Sequence, residues 1–152
     1  MKVQEYLEQK GVFYSEHEHR PAYTSQEVAA EEHVSGDMIA KPVVVRADGG
    51  YAMVVVPASY KLDMRKVAEA LHTHQASLAD EPELAKLFPD SEVGAEPPFG
   101  NLYNLPTLVD EHLTHDEEIV FQAGSHRSAI RMRYADYAEL AHPQVADLAV
   151  HL

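Results

Sequence analysis

Three parts of this sequence carry residue types that can do chemistry: a lysine heading a β-branched run, a loop of glycines and prolines, and a Ser-His pair in a tight turn. Lys41 precedes Pro42-Val43-Val44-Val45. An ammonium entering an apolar strand loses hydration. It therefore either points into a cleft that offers water or an anion, or marks an exposed strand start from which its long stem reaches solvent. In Gly94-Ala95-Glu96-Pro97-Pro98-Phe99-Gly100 the backbone is restricted in the middle and permissive at both ends. Such a segment is either a stiff connection or a frame that holds amide N–H groups toward a ligand with little entropy left to lose. Ser125 and His126 follow Gly124 in a turn. An ammonium, loop amides and an imidazole together can neutralise a phosphate and stabilise an oxyanion. That suffices for ester hydrolysis if the substrate brings its own activating group.

Other signatures are absent: no Walker loop, no Gly-x-Gly-x-x-Gly, no His-Glu-x-x-His and no Gly-x-Ser-x-Gly elbow. His17 and His19 could share one side of an extended chain as a metal pair, but no third ligand lies nearby in sequence, so they read as exposed strand residues. No metal and no cofactor is expected.

The elements that must position these groups follow from periodicity and punctuation. Val43-Val44-Val45 and Met53-Val54-Val55-Val56 are continuous apolar runs, which predicts two central strands within Met38 to Pro57, buried on both faces and joined at Asp48-Gly49-Gly50. A helix is expected over Met1 to Gly11, then an edge strand at Val12-Phe13-Tyr14. Thr24-Ser25-Gln26-Glu27 reads as a capping box before a helix to His33. Further helices are expected at Met64 to His72, after Asp80-Glu81-Pro82-Glu83, and at Tyr134 to Leu140. Strands are expected at Leu102 to Asn104, Thr107 to Leu113, Glu118 to Ala123 and Ala129 to Arg133. The pattern is that of an α+β fold in one domain, residues 1–152, with a mostly antiparallel sheet covered by helices.

The 152 residues include no cysteine, which excludes disulfides, thiolate zinc sites and a cysteine nucleophile and agrees with a cytoplasmic location. No run approaches a membrane span. Twelve Lys and Arg against twenty-five Asp and Glu give a formal charge of −13, wrong for a protein that coats DNA or RNA non-specifically. A nucleic-acid partner must meet a local patch. One exists between Lys41 and Lys66, where Lys41, Arg46, Lys61, Arg65 and Lys66 face only Asp48 and Asp63; Arg127, Arg131 and Arg133 form a second cluster. These charges either form a binding patch or solvate strand ends and a helix face.

The order Thr24-x-x-Glu27-Val28-Ala29, Lys41 heading an apolar strand, Gly94-x-x-x-Pro98 before Phe99-Gly100, and Ala123-Gly124-Ser125-His126 resembles the YbaK/ProX family. Its members are free-standing relatives of the bacterial prolyl-tRNA synthetase editing domain. The resemblance runs from about Tyr14 to Pro143. It implies a mixed, barrel-like sheet surrounded by helices, and hydrolysis of a mischarged aminoacyl-tRNA in trans, with a small amino acid such as alanine, on tRNA-Pro for instance. It further implies that Lys41 contacts the phosphate of the terminal adenosine and that Gly94 to Pro98 turns its backbone to the aminoacyl ester. His126 would lie near the pocket, and Thr24, Ala95, Phe99, Gly124 and Ser125 would contact substrate. The implied partner is the aminoacyl-tRNA acceptor end, with an aminoacyl-tRNA synthetase able to dock alongside, and neither membrane nor DNA. Two departures stand out: Pro42 replaces a hydroxyl-bearing residue common in the family, and Glu96 places an acid where several members have small residues. A module of the same fold that binds such an end without turnover is the alternative.

Because an ammonium, amides and a substrate hydroxyl need no Lewis acid, deacylation is expected to survive chelation. Hydrolysis lost in chelator and restored by added zinc would contradict this.

Overall fold

In the computed structural model, which describes residues 1–152, helices and strands occur in the order α1 (Val3–Lys10), β1 (Tyr14–Glu18), α2 (Ser25–Glu32), β2 (Ala40–Ala47), β3 (Gly50–Pro57) and β4 (Tyr60–Leu62). These are followed by α3 (Met64–Ala70), β5 (Ser77–Leu78), α4 (Glu81–Leu87), β6 (Thr107–Asp110), β7 (Glu118–Gln122) and β8 (Ser128–Arg133). The last three are α5 (Tyr134–Ala141), β9 (Gln144–Ala146) and β10 (Ala149–His151). The strands form a five-stranded sheet in the order β5-β2-β3-β6-β9, a three-stranded sheet β1-β8-β7 and a pair β10-β4. In the large sheet β5, β2 and β3 are antiparallel neighbours, whereas β3-β6 and β6-β9 are parallel. The fold is thus α+β with mixed sheets, and the strands fall into three open sheets rather than one closed barrel.

The β2–β3 hairpin forms as its sequence dictates. Asp48 and Gly49 take positive φ angles of 48° and 78°, and Ala47 pairs with Gly50 across the turn. Both faces of β3 are covered, which explains its unbroken valine run. Met53 and Val55 face a core built with Val3, Leu7, Phe88, Phe99, Phe121 and Tyr137. Val54 and Val56 face a second cluster with Val67, Leu108 and Leu148. A third, smaller cluster sets Val28 and Ala29 of α2 against Ile39, Ala58 and Val120. Lys41 and Pro42 open β2 where its outer edge has no strand partner, because β5 pairs only with Val45 and Arg46. Val44 turns its carbonyl to that edge, accepting from Ala79 N–H, so Pro42, two residues earlier, faces the same way and its missing N–H costs no ladder bond.

Several elements depart from the sequence reading. The first strand is Tyr14–Glu18, later than Val12-Phe13-Tyr14, and β5, β9 and β10 were not expected. Gly100–Tyr103 and Glu111–His115 are 3-10 turns rather than strand, so His112 and His115 lie beyond β6. In α2 Thr24 accepts from Glu27 N–H, one half of the capping box, and His33 caps the other end in the left-handed conformation. The complete box is at α4, where Asp80 and Glu83 bond each other's backbone amides. No helix is long and apolar enough to cross a membrane.

Gly100 packs where no side chain fits: a Cβ there would sit 2.3 Å from Thr107 Oγ1 and 2.9 Å from the Leu105 carbonyl oxygen. Gly100→Ala is expected to destabilise by about 1–3 kcal/mol in urea melts. Thr107→Val should leave stability unchanged or raise it, since Thr107 Oγ1 is buried without a partner. An alanine variant with wild-type stability would contradict the packing argument.

Candidate active site

Two adjoining hollows meet at the free edge of β2. The larger, about 620 Å³, is lined by Thr24, Lys41, Tyr60, Lys61 and Met64 among others. The smaller, about 170 Å³, is lined by Pro42, Val44, Ala79 and Leu84 together with Gly94 and Glu96. Val43 and Leu78 border both, so the two hollows are neighbours at the rim of β2.

Lys41 is half-buried, between the two sequence alternatives of buried cation and free surface lysine. Of the basic residues between Lys41 and Lys66, Arg46 pairs with Glu83 (3.4 Å) and Lys66 with Asp147 (2.9 Å). Lys41 and Lys61 have no acidic partner within 4 Å, and both line the larger hollow. Thr24 brings the start of α2 to the same wall, with its hydroxyl committed to the Glu27 amide.

The Gly94 loop is held from behind. Glu92 N–H donates to the Gly124 carbonyl and Gly124 N–H to that of Ala95, both at 2.8 Å, while Ala95 N–H closes a turn onto Glu92 O at 3.0 Å. His126 is buried against this turn. Its Nε2 lies 2.9 Å from the Val93 carbonyl, and a carbonyl only accepts, so Nε2 carries the proton. Nδ1 is then free to accept from Gln122 Nε2 at 3.3 Å, a side chain that also donates to the Ala22 carbonyl. Gly94 itself has φ +89°, which favours glycine, and a Cβ there would just touch His126 Cε1 at 3.4 Å. The Ser125 hydroxyl and the His126 amide hold the Glu92 carboxyl below its usual range.

The expected site residues therefore divide by position. Lys41, Thr24 and Gly94 line the two neighbouring hollows. Ala95, Pro98 and Phe99 are buried beneath the loop. The Pro98 carbonyl accepts from the Tyr137 hydroxyl at 2.7 Å, and Phe99, 0 % exposed, stacks edge-on with Phe121 and Tyr137, which makes it a core residue rather than a substrate contact. His126 supports the loop, its ring committed to Val93. Gly124 and Ser125 line a separate polar cavity of about 400 Å³ with Lys2, Asp90 and Arg127. Glu96, noted in the sequence only as an unusual acid, is the charged group of the smaller hollow. Burial pushes its carboxyl up, opposed by a hydrogen bond of 2.9 Å from Gly94 N–H to Oε1.

Residues 19–140 match the profile of the aminoacyl-tRNA editing domain. The chain belongs to that family. Among solved structures, the editing fold recurs in a candidate trans-editing enzyme for prolyl-tRNA synthetase, 27% identical, with a TM-score of 0.86 over 97% of this chain and 94% of that one. It recurs with the same score and identity, over 97% and 95% of the two chains, in a structure from work on computational epitope grafting onto scaffold proteins. A hypothetical protein of 24% identity, TM-score 0.87, covering 99% of this chain and all of that one, shares the fold.

The Glu92 carboxyl ties the editing-domain loop to the turn at His126 more strongly when ionised. Its depressed value means that its contribution is present above the ordinary carboxylate range and is lost as pH falls through the folded value. Glu92→Gln is expected to lower the melting temperature at pH 7, by a deficit that shrinks in acid as the wild-type carboxyl itself takes up a proton. An equal deficit at pH 7 and in acid would mean that charge plays no part.

Proposed function

We infer that the protein is an aminoacyl-tRNA deacylase that acts in trans on a small mischarged amino acid, alanine first, in the cytoplasm. The observation that carries this reading is the nearness of a hollow holding the partnerless Lys41 to a small one at Gly94, on either side of the open edge of β2. A phosphate of the terminal nucleotide fits the first by charge. The second, at about 170 Å³ and walled by Pro42, Val44 and Leu84, suits a short aliphatic side chain. Family membership supports the ester of a charged tRNA as the bond attacked. Alanyl-tRNA-Pro is the specific candidate, supported by the likeness to a candidate trans-editing enzyme of prolyl-tRNA synthetase, and a synthetase could dock alongside.

In this mechanism Lys41 fixes the nucleotide and a loop amide polarises the ester carbonyl. Water held by the neighbouring ribose hydroxyl adds to the carbonyl carbon, and that hydroxyl relays the proton, taking one from the water as it passes its own to the departing ribose oxygen. The bond from the carbonyl carbon to that oxygen breaks, releasing the free amino acid and the uncharged tRNA end. His126 acts by holding the loop, since its Nε2 proton is committed to Val93. The alternative of binding without turnover draws on the Gly94 N–H being engaged with Glu96.

Lys41→Ala decides the first step. Loss of a charge-assisted contact of about 1.5–3 kcal/mol predicts at least a tenfold fall in kcat/KM on alanyl-tRNA. The melting temperature should not fall, because Lys41 has no acidic partner to lose. Lys41→Arg should recover only part of the activity, its planar fork being a poor replacement for a point charge. Full activity in the alanine variant rejects the phosphate role, and no hydrolysis by wild type across a panel of mischarged tRNAs rejects the enzyme in favour of the binding module.

A further inference from the structure

Glu96 is the one ionisable side chain of the smaller hollow, among Pro42, Val43, Val44, Leu78, Ala79 and Leu84. It is 5 % exposed and forms no ion pair. Oε1 accepts from Gly94 N–H at 2.9 Å. Beside the carboxyl lies only one further donor, its own backbone N–H, and Oε2 is not among the sealed polar atoms without partners. A carboxylate in apolar surroundings with no cation beside it is costly unless a cation or strong donor meets it. Burial accordingly raises the Glu96 carboxyl.

An aminoacyl ester brings such a cation. Its α-ammonium is attached one carbon away from the ester carbonyl, so the two groups enter together. If the ester oxygen takes the Gly94 N–H, the ammonium arrives beside the carboxylate that held that N–H beforehand. Resting on the aminoacyl-end reading above, we propose that Glu96 reads the free α-ammonium of the substrate, so that the site selects unblocked aminoacyl ends and turns away N-acylated ones. In the empty site the carboxylate occupies the loop amide. On binding it passes that amide to the ester oxygen and takes the ammonium in exchange, which couples recognition of the amine to polarisation of the carbonyl. An acyl group on the nitrogen removes the positive charge and adds bulk to a hollow of about 170 Å³.

The test uses non-hydrolysable probes built on 3′-amino-3′-deoxyadenosine 5′-phosphate, carrying alanine, N-acetylalanine or lactate through an amide. Binding to the full chain is followed by calorimetry or NMR titration at about pH 6.5, where an α-amine is protonated. Wild type is expected to bind the alanyl probe at least tenfold more tightly than the other two. Glu96→Gln retains the volume and an oxygen to accept from Gly94, and should bring all three within about threefold, the loss falling on the alanyl probe alone. Its melting temperature shows whether the fold is kept, and Glu96→Asp, a shortened carboxylate, should retain part of the preference. Equal, measurable binding of the three probes by wild type overturns the role of Glu96 and leaves the aminoacyl-end reading standing. A uniform loss for all three in Glu96→Gln would make Glu96 a strut of the loop and also overturns it. Failure of every probe to bind wild type removes the aminoacyl-end reading, and this inference with it.

Discussion

The hydrogen bond from His126 Nε2 to the Val93 carbonyl is the contact on which the site depends. A loop of alternating freedom and restriction does not hold one shape by itself: Gly94 has a positive φ, and Pro97 and Pro98 can donate nothing. Its carbonyls must find donors inside the protein, and they do so on one side only, at His126, Gly124 and Tyr137. The opposite side is left to the small hollow. Burying an imidazole is acceptable here because both ring nitrogens have partners, and the Val93 carbonyl at 2.9 Å requires a proton on Nε2. The hairpin turn between β7 and β8 thereby sets the position of a loop some thirty residues earlier in the chain.

Charge is arranged on the same principle of selective neutralisation. The chain is strongly acidic, and Arg20, Arg46, Lys66 and Arg131 each sit against a carboxylate. Lys41 and Lys61 do not, and they line one hollow. Exposed pairs add little to stability, but they remove competing positive sites. Lys41 and Lys61 thus give one hollow a local positive charge within an acidic chain. For a polyanion such as the proposed substrate, this favours insertion of one end over lengthwise binding of the body.

Much of this was legible in the sequence where local chemistry is decisive. The valine runs with Asp-Gly-Gly between them specify a doubly covered hairpin, and Asp80-Glu81-Pro82-Glu83 specifies a capped helix start, because each signal is complete within a few residues. Strands β5, β9 and β10, of two or three residues, were not legible, since so short a segment has no period and exists only through its partner. The same limit applies to the strand expected at Leu102 to Asn104, where the chain instead makes a 3-10 turn over Gly100–Tyr103 with Gly100 fitted against Thr107. At the site, motif order marked Lys41, Thr24 and Gly94, all of which line the neighbouring hollows. It could not separate a residue facing a hollow from one beneath it, which is how Phe99 was taken for a contact. The importance of Glu96 is signalled only by an acid between a glycine and two prolines; its burial without a cation is a property of the packed structure.

Pro42 has a consequence beyond the hollows it borders. A ligand can lie across the rim of β2 only if that rim stays uncovered, and an uncovered rim of hydrogen-bonding groups beside a valine run is a template on which another molecule's strand can grow. The proline withholds one donor at this spot, and Lys41 next to it adds charge that a stacked copy would have to bring against its own. A residue that reads in the sequence as a break in the strand thus helps the protein keep an open sheet edge without recruiting itself into aggregates.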